Sequence, residues 1–353
     1  MLAALLLASC RFLQTGDPAD LHPTAPGAIQ VVGNCTPTCT DSVDVVAMGV
    51  AGFLVVPWRD TTQLVLTAPL FSNPSVPWMM FGDLFFGTQP DTATITRRLQ
   101  AMPAANADRL SRVAAVVVGH GHYDHLMDIP PLVSRLPNAR VYGSETVANL
   151  LAPVSALRTR RVIVDSTAGR DANRPGTSYA VGSAVRLRAI QWAHAPNIGT
   201  ITISPGHQRT PRRTLPRTVH GWKMGAVYGY VIDILAADSS VAFRLVFHDA
   251  AANADVQRRT GEVIATMPPA HQTIAMITAA NFDQPAKYPD ILLAHLAPVH
   301  VILGHWDDFF RSSDAAERVV RGIRASELVA RLAPFVGNRW TAPRAGAITR
   351  FRW

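Results

Sequence analysis

The sequence predicts an α/β fold built around a sizeable core. Two observations carry this. From Val113 onward, short apolar runs of strand length alternate with segments of helical periodicity. In addition, 48% of the 353 residues are hydrophobic and only 16% are charged, which excludes a disordered or highly solvated chain. No convincing linker divides residues 42–353, so this span reads as one domain.

Between 42 and 71 there are two strand-like runs, VDVVAMGVAGFLVV and QLVLTAPLF, separated by the turn-like PWRDTT. A loop with prolines and aromatics covers 74–90, and helical character follows over 94–102. AAVVV (114–118) is a buried strand. Asp128 reads as the N-cap of the next helix, which tolerates Pro130 and Pro131 in its first turn. ARVYG is a strand, and SETVANLLA a helix capped by Ser144. RRVIVD and AVRLRAIQWA are further strands.

Residues 199–224 break the rhythm. They are polar, basic and without helix or strand periodicity; such a stretch inside a compact domain is functional or disordered. YGYVIDIL and AFRLVF then form a hairpin through AADSS. TIAMITAA and HVILG are later strands, 315–332 is a helix, and ITRFRW closes the chain as a strand.

The N-terminal MLAALLLASC carries an apolar run too short to span a bilayer. It reads as the end of a lipoprotein-type export signal over residues 1–9, with Cys10 as the lipidated residue, although the charged segment expected ahead of the run is missing. Residues 10–41, rich in Pro, Gly, Thr and Asp, read as a tether. The chain is thus expected to be exported, and either anchored to a membrane through Cys10 or periplasmic. In that setting Cys35 and Cys39 would form a short-loop disulfide; in a reducing compartment they would be free thiols. The net charge of +8 favours anionic partners. Export and the lack of an added nucleic-acid module argue against DNA or RNA.

The chemistry concentrates in HGHYDH, where His120, His122, Asp124 and His125 follow directly on a strand. So many polar groups cannot be buried without partners. Imidazole nitrogens and carboxylate oxygens are the ligands that zinc and similar divalent metals accept. The strand–loop–helix context supports a metal site over a solvated cluster.

HGHYDH resembles the H-x-H-x-D-H signature of the metallo-β-lactamase superfamily. That resemblance implies a four-layer αβ/βα sandwich holding two metals at its edge. It also implies three further ligands after later strands, and the chain supplies His194 after AIQWA, Asp249 after RLVFH and His305 after VILG. His295 and His300 compete with His305 but lack its strand–Gly–His setting. Carried over, His120, His122 and His194 would hold one divalent ion, and Asp124, His125 and His305 the second. The ions would be zinc, with manganese or iron as alternatives, and Asp249 and a hydroxide would bridge them. Asp124 and Asp249 would thus be the carboxylates at the reacting centre. His248 is expected to support the ligands or to be structural, Asp307 and Asp308 to form a cap or support the ligands as a pair, and Tyr123 to pack.

Many lactamases of the superfamily have a cysteine where Asp249 stands. The three cysteines here all precede residue 40, which argues against a dedicated lactamase; the resemblance then implies one of the carboxylate-bridged members, which are lactonases, thioesterases, phosphodiesterases and nucleases. The chain most resembles the branch of N-acyl-phosphatidylethanolamine phospholipase D and the ascorbate-phosphate lactonase-like proteins. LVLTAPLFSNPS is similar to that branch's D-P-x-x-S stretch, with Ala68 in place of the aspartate. The 199–224 loop contributes Arg212, Arg213, His220 and Trp222 as candidate substrate contacts, since arginine forks suit phosphate and carboxylate. The expected substrate is an anionic small or lipid-derived phosphodiester or phosphotriester. The alternative is a carboxylic ester or lactone on the same metals.

Overall fold

The computed structural model describes residues 16–33, 41–197, 200–312 and 314–353. Cys10, Cys35, Cys39 and the expected export signal lie outside these residues. No helix among the described residues is long and apolar enough to cross a membrane.

Two sheets face each other. One runs in the order β1 (Ile29–Val32), β15 (Ile348–Arg352), β2 (Ser42–Gly49), β3 (Gly52–Pro57), β4 (Leu64–Thr67), β5 (Val113–Val117), β6 (Arg140–Gly143), β7 (Arg161–Ile163). The other runs β14 (Trp340–Thr341), β13 (His300–Gly304), β12 (Ala270–Thr278), β11 (Val241–Phe247), β10 (Tyr228–Leu235), β9 (Val185–Gln191), β8 (Tyr179–Val181). Strand periodicity assigns the faces. Val43, Val45, Phe53, Val55, Ala115 and Val117 from the first sheet meet Leu187, Ile232, Phe243, Leu245 and Ile302 from the second. The alternate residues Val46, Leu54, Val116, Val246 and Leu303 turn outward into a second cluster. Helical residues Ile95, Leu99, Leu132, Val263, Leu293 and Leu332 cover them there. This is the four-layer sandwich expected.

Strand direction places one set of ends together. β4 to β7 are parallel, as are β11, β12 and β13. β10 is antiparallel to both β9 and β11, so β9 runs the same way as β11. The loops after β9, β11 and β13 therefore leave one edge of the second sheet. Tyr230, fully buried on β10, crosses to the first sheet and donates its hydroxyl to the carbonyls of Val118 and Tyr142 at 3.1 and 3.0 Å. It fixes the end of β5 against the second sheet.

Several expectations change. VDVVAMGVAGFLVV folds back on itself as the β2–β3 hairpin, with Gly49 and Val50 at φ 106° and 53°. Apolar composition through the turn hid it. Residues 16–33, read as tether, are built into the fold: Leu21 is buried, and β1 pairs in parallel with β15. The last long helix spans Ala325–Val336 and not 315–332. The earlier residues bond instead to the segment after β13, through Asp308 N–H to Arg318 O and Val320 N–H to Trp306 O. Ser144 caps its helix as expected, accepting from Val147 N–H. Asp128 does not cap. Its backbone is helical, and its carboxylate accepts from Phe71 N–H and Ser72 N–H at 2.7 and 2.9 Å. Burial pushes that carboxyl up to about 6, and the two buried donors oppose the shift.

Asp233 and Arg244 face each other across β10 and β11, both buried, in a bidentate pair at 2.7 and 2.9 Å. Asp233→Ala leaves the guanidinium buried without its partner and is expected to destabilise the fold by about 3–5 kcal/mol. Denaturant unfolding measures this, and a loss below about 1 kcal/mol would show that the pair is dispensable.

Candidate metal centre

All seven predicted ligand residues meet at one edge of the sandwich. HGHYDH leaves β5 of the first sheet, while His194, Asp249 and His305 follow β9, β11 and β13 of the second. Their ligand atoms form three groups, each within 4.8 Å: His120, His122 and His194; His120, His125 and Asp249; Asp124, His125 and His305. Asp249 thus stands with one histidine from each of the other two groups. The imidazoles are in mutual contact. Ring centroids lie 4.5 Å apart for His120 and His122, 4.7 Å for His120 and His194, and 5.1 Å for His125 and His305.

Local structure explains the convergence. Gly119 leaves room for Asp249, because a Cβ there would fall on the carboxylate. Gly121 is held by its N–H to Met224 O at 2.8 Å, under the backbone of Lys223. His305 sits in the left-handed region at φ 56°, and its N–H bonds to Val50 O at 2.8 Å. Left-handed backbone at a bulky residue costs roughly 1–3 kcal/mol and persists where surroundings over-determine it. His194 Nδ1 lies 2.5 Å from Ala195 O, which can only accept. Nδ1 therefore carries the proton and Nε2 is the free lone pair.

Burial governs the charge states. His120 and His122 are held well below the usual imidazole range, by burial first and by neighbouring imidazoles second. Burial takes His125 down to about 3 against the pull of Asp124, and it lowers His194. Burial alone would raise Asp124. The nearby His125, His305 and His122 and the contact from His305 Nε2 at 3.1 Å hold its carboxyl well below the usual value. Asp249 is raised by burial, which the surrounding histidines offset in part. Neutral imidazoles and an ionised Asp124 are the forms that ligate metals.

These residues fit two divalent cations. His122 Nε2, His125 Nε2 and His305 Nδ1 are buried without a hydrogen-bond partner, and His120 Nε2 faces His122 Nδ1 at 2.9 Å. Nitrogens packed against nitrogens in this way are costly unless a cation sits among them. One triad offers three nitrogens and the other two nitrogens and an oxygen, a donor set that suits zinc and its neighbours.

The supporting residues resolve one by one. His300 faces Thr341 Oγ1 at 3.4 Å on β13, and His295 packs beside Gly261, so His305 alone of the three joins the cluster. His248 packs on Trp192 with ring centroids 3.8 Å apart and is pushed down to about 3 by burial. Asp308 pairs with Arg321 at 3.2 Å, and Tyr123 donates to Met79 Sδ at 3.5 Å. Residues 200–224 of the basic loop are ordered by hydrogen bonds. Arg212 N–H bonds to Asn149 O, Asn149 Nδ2 to Gln208 O, and Met224 N–H to Ser204 O. Its backbone at Ile203 faces the His122 ring. Arg213 and His220 are exposed and Arg212 half-buried. Trp222 is fully buried and lines a cavity of about 290 Å³ with Leu215, Pro216 and Arg217. Sequence reasoning missed Gly119, Gly121 and Tyr230, which shape the site without chemistry of their own.

Gly119→Ala is expected to weaken divalent-metal affinity by about 10–100-fold through displacement of Asp249, without loss of the fold. Metal titration beside circular dichroism checks it; unchanged affinity would reject the close approach.

The β-lactamase superfamily domain model matches residues 86–306 of the chain. No curated protein matches it in sequence. Among solved structures it is similar to Igni18, a metallo hydrolase from the archaeon Ignicoccus hospitalis, at 12% identity and TM-score 0.46, covering 88% of this chain and 99% of that one. The diiron β-hydroxylase CmlA from Streptomyces venezuelae matches at 14% identity and TM-score 0.45, covering 91% of this chain and 55% of that one. Zn(2+)-bound PqqB from Methylobacterium extorquens matches at 11% and 0.43, with coverages of 87% and 99%. The family match spans more than half of the chain, and with the buried histidine and aspartate cluster it makes this protein a metal-dependent hydrolase of the β-lactamase superfamily.

Proposed function

We propose that the chain hydrolyses phosphoester bonds, in phosphodiesters or phosphotriesters, at a centre holding two zinc ions. His120, His122 and His194 would hold one ion, and Asp124, His125 and His305 the other, with Asp249 between them. Two such cations supply Lewis acidity and bring the pKa of a bound water to about 7. The observation that carries the reading is the position of Asp249, whose group shares His120 with the first triad and His125 with the second.

The chain's own groups favour this chemistry. Imidazole ligands bring no negative charge, so the centre would keep the net attraction of its cations for an anionic substrate. Asp249 is fixed by Gly119 behind it and His120 Nδ1 at 3.2 Å, and it keeps the two triads in register. The arginine-bearing loop is ordered beside His122 and supplies planar donors for phosphoryl oxygens. No serine or cysteine nucleophile is required. The cavity beside Trp222, walled by Leu215 and Pro216, is the feature that favours the second reading, hydrolysis of an acyl ester or lactone.

A panel with a bis-aryl phosphate, a triaryl phosphate and an acyl lactone separates the two. Turnover of the phosphate esters above the lactone is expected, and lactone turnover alone would overturn the proposal. Arg212→Ala with Arg213→Ala is expected to raise KM for the phosphodiester by about tenfold with little change in kcat. An unchanged KM would remove these arginines from substrate recognition.

A further inference from the structure

The helical run at 76–86, VPWMMFGDLFF, is built against the usual logic of a surface helix. Its sole charged residue, Asp83, is fully buried, while its large aromatics point outward. Trp78 is 41% exposed, Phe81 66%, Phe85 82% and Phe86 77%. Every exposed phenylalanine among the described residues lies here. The rings cluster, with Trp78 stacked on Phe86 at 5.8 Å and Phe86 6.5 Å from Phe85. A contiguous aromatic patch of this kind on a folded surface marks an interaction site.

The patch is held in place from within. Asp83 accepts from Val219 N–H at 3.0 Å and from Thr88 Oγ1 at 2.5 Å, and Thr88 N–H bonds to Arg217 O at 2.7 Å. Trp78 Nε1 donates to Gly87 O at 3.2 Å. The exposed rings are thus mounted on a fixed base, and that base is the arginine-bearing loop. Arg209, Arg213 and Arg217 of the loop are exposed. The acid that follows in sequence, Asp91, is occupied by Ala93 N–H, Thr94 N–H and Thr94 Oγ1. Aromatic rings with a basic rim match the interface of an anionic bilayer, where rings enter the acyl boundary and arginines meet headgroup phosphates.

Two further contacts bear on this. Met79, inside the aromatic run, receives the hydroxyl of Tyr123 within HGHYDH, so the patch lies one side chain from the metal cluster. Trp78 also shares a cavity of about 460 Å³ with Ser312. That segment reaches Val319, against which Gly16, the first described residue, packs. The apolar residues 2–7 precede that point in sequence.

We infer that Trp78, Phe81, Phe85 and Phe86, with the exposed arginines of the 199–224 loop, dock the enzyme onto an anionic phospholipid surface beside its metal centre. The docking does not depend on which ester is cleaved.

Full-length protein is sedimented with vesicles of phosphatidylcholine alone or of phosphatidylcholine with phosphatidylglycerol. The wild-type chain is expected to partition into the anionic vesicles more than into the neutral ones. Phe85→Ser with Phe86→Ser is expected to weaken that partitioning by about tenfold or more, and Phe81→Ser by less. Hydrolysis of a soluble phosphate ester should be unchanged in both variants, which separates this inference from the assignment of the reaction. Equal partitioning of wild type and double variant would overturn it, since residues 2–7 or a lipid on Cys10 would then hold the protein. A wild-type chain that stays in the supernatant would overturn it as well. So would a wild-type dimer in sedimentation equilibrium that the double variant breaks, because the patch would then belong to a second copy.

Discussion

Five imidazoles and two carboxylates are packed in contact at a place where water cannot reach most of them, and the two sheets and their loops are organised around that crowding. Unpaired polar nitrogens in such surroundings cost roughly 1–3 kcal/mol each. A cation among them turns the same geometry from a liability into a stabilising one, because metal binding to ligands held by the fold adds to the free energy of folding. The strands β5, β9, β11 and β13 exist in their observed order and direction at the edge where this happens. Tyr230 ties the two sheets at that edge, and Gly119 leaves the space that Asp249 fills.

That these seven residues gather at one edge was legible in the sequence because each stands at or shortly after the end of an apolar strand, and strand ends are where a layered α/β fold gathers its loops. The short edge strands β1, β8 and β14 were not legible. They have few residues, and they exist through pairing with β15, β9 and β13. The same holds for 315–323, whose composition suits a helix but whose backbone bonds with Trp306 and Asp308. Asp128 has the residue type and position of a helix cap, yet two buried N–H groups nearly sixty residues earlier claim it. The left-handed backbone of His305 cannot be read from VILGH. It follows from the bond to Val50 O, itself in a turn that apolar composition concealed.

The basic loop joins the two themes of site and surface. Polar and aperiodic, it reads in sequence as either functional or disordered, and the structure orders it. Its hydrogen bonds run to Thr146, Asn149 and Gly121 on the side of the metal motif, and to Asp83 and Thr88 on the side of the aromatic helix. The loop therefore joins the edge that carries the histidine cluster to the exposed aromatic patch at 78–86. Its arginines have little structural work beyond Arg212, which leaves their charge available to solvent or to a ligand.

These seven side chains are placed to hold a pair of cations. Crystals grown with zinc and measured at its absorption edge test it most directly. Two anomalous peaks about 3.5–4 Å apart are expected, one on either side of the Asp249 carboxylate, with His120, His122 and His194 around the first and Asp124, His125 and His305 around the second. A single peak remote from Asp249, or none within reach of His194 and His305, would contradict it.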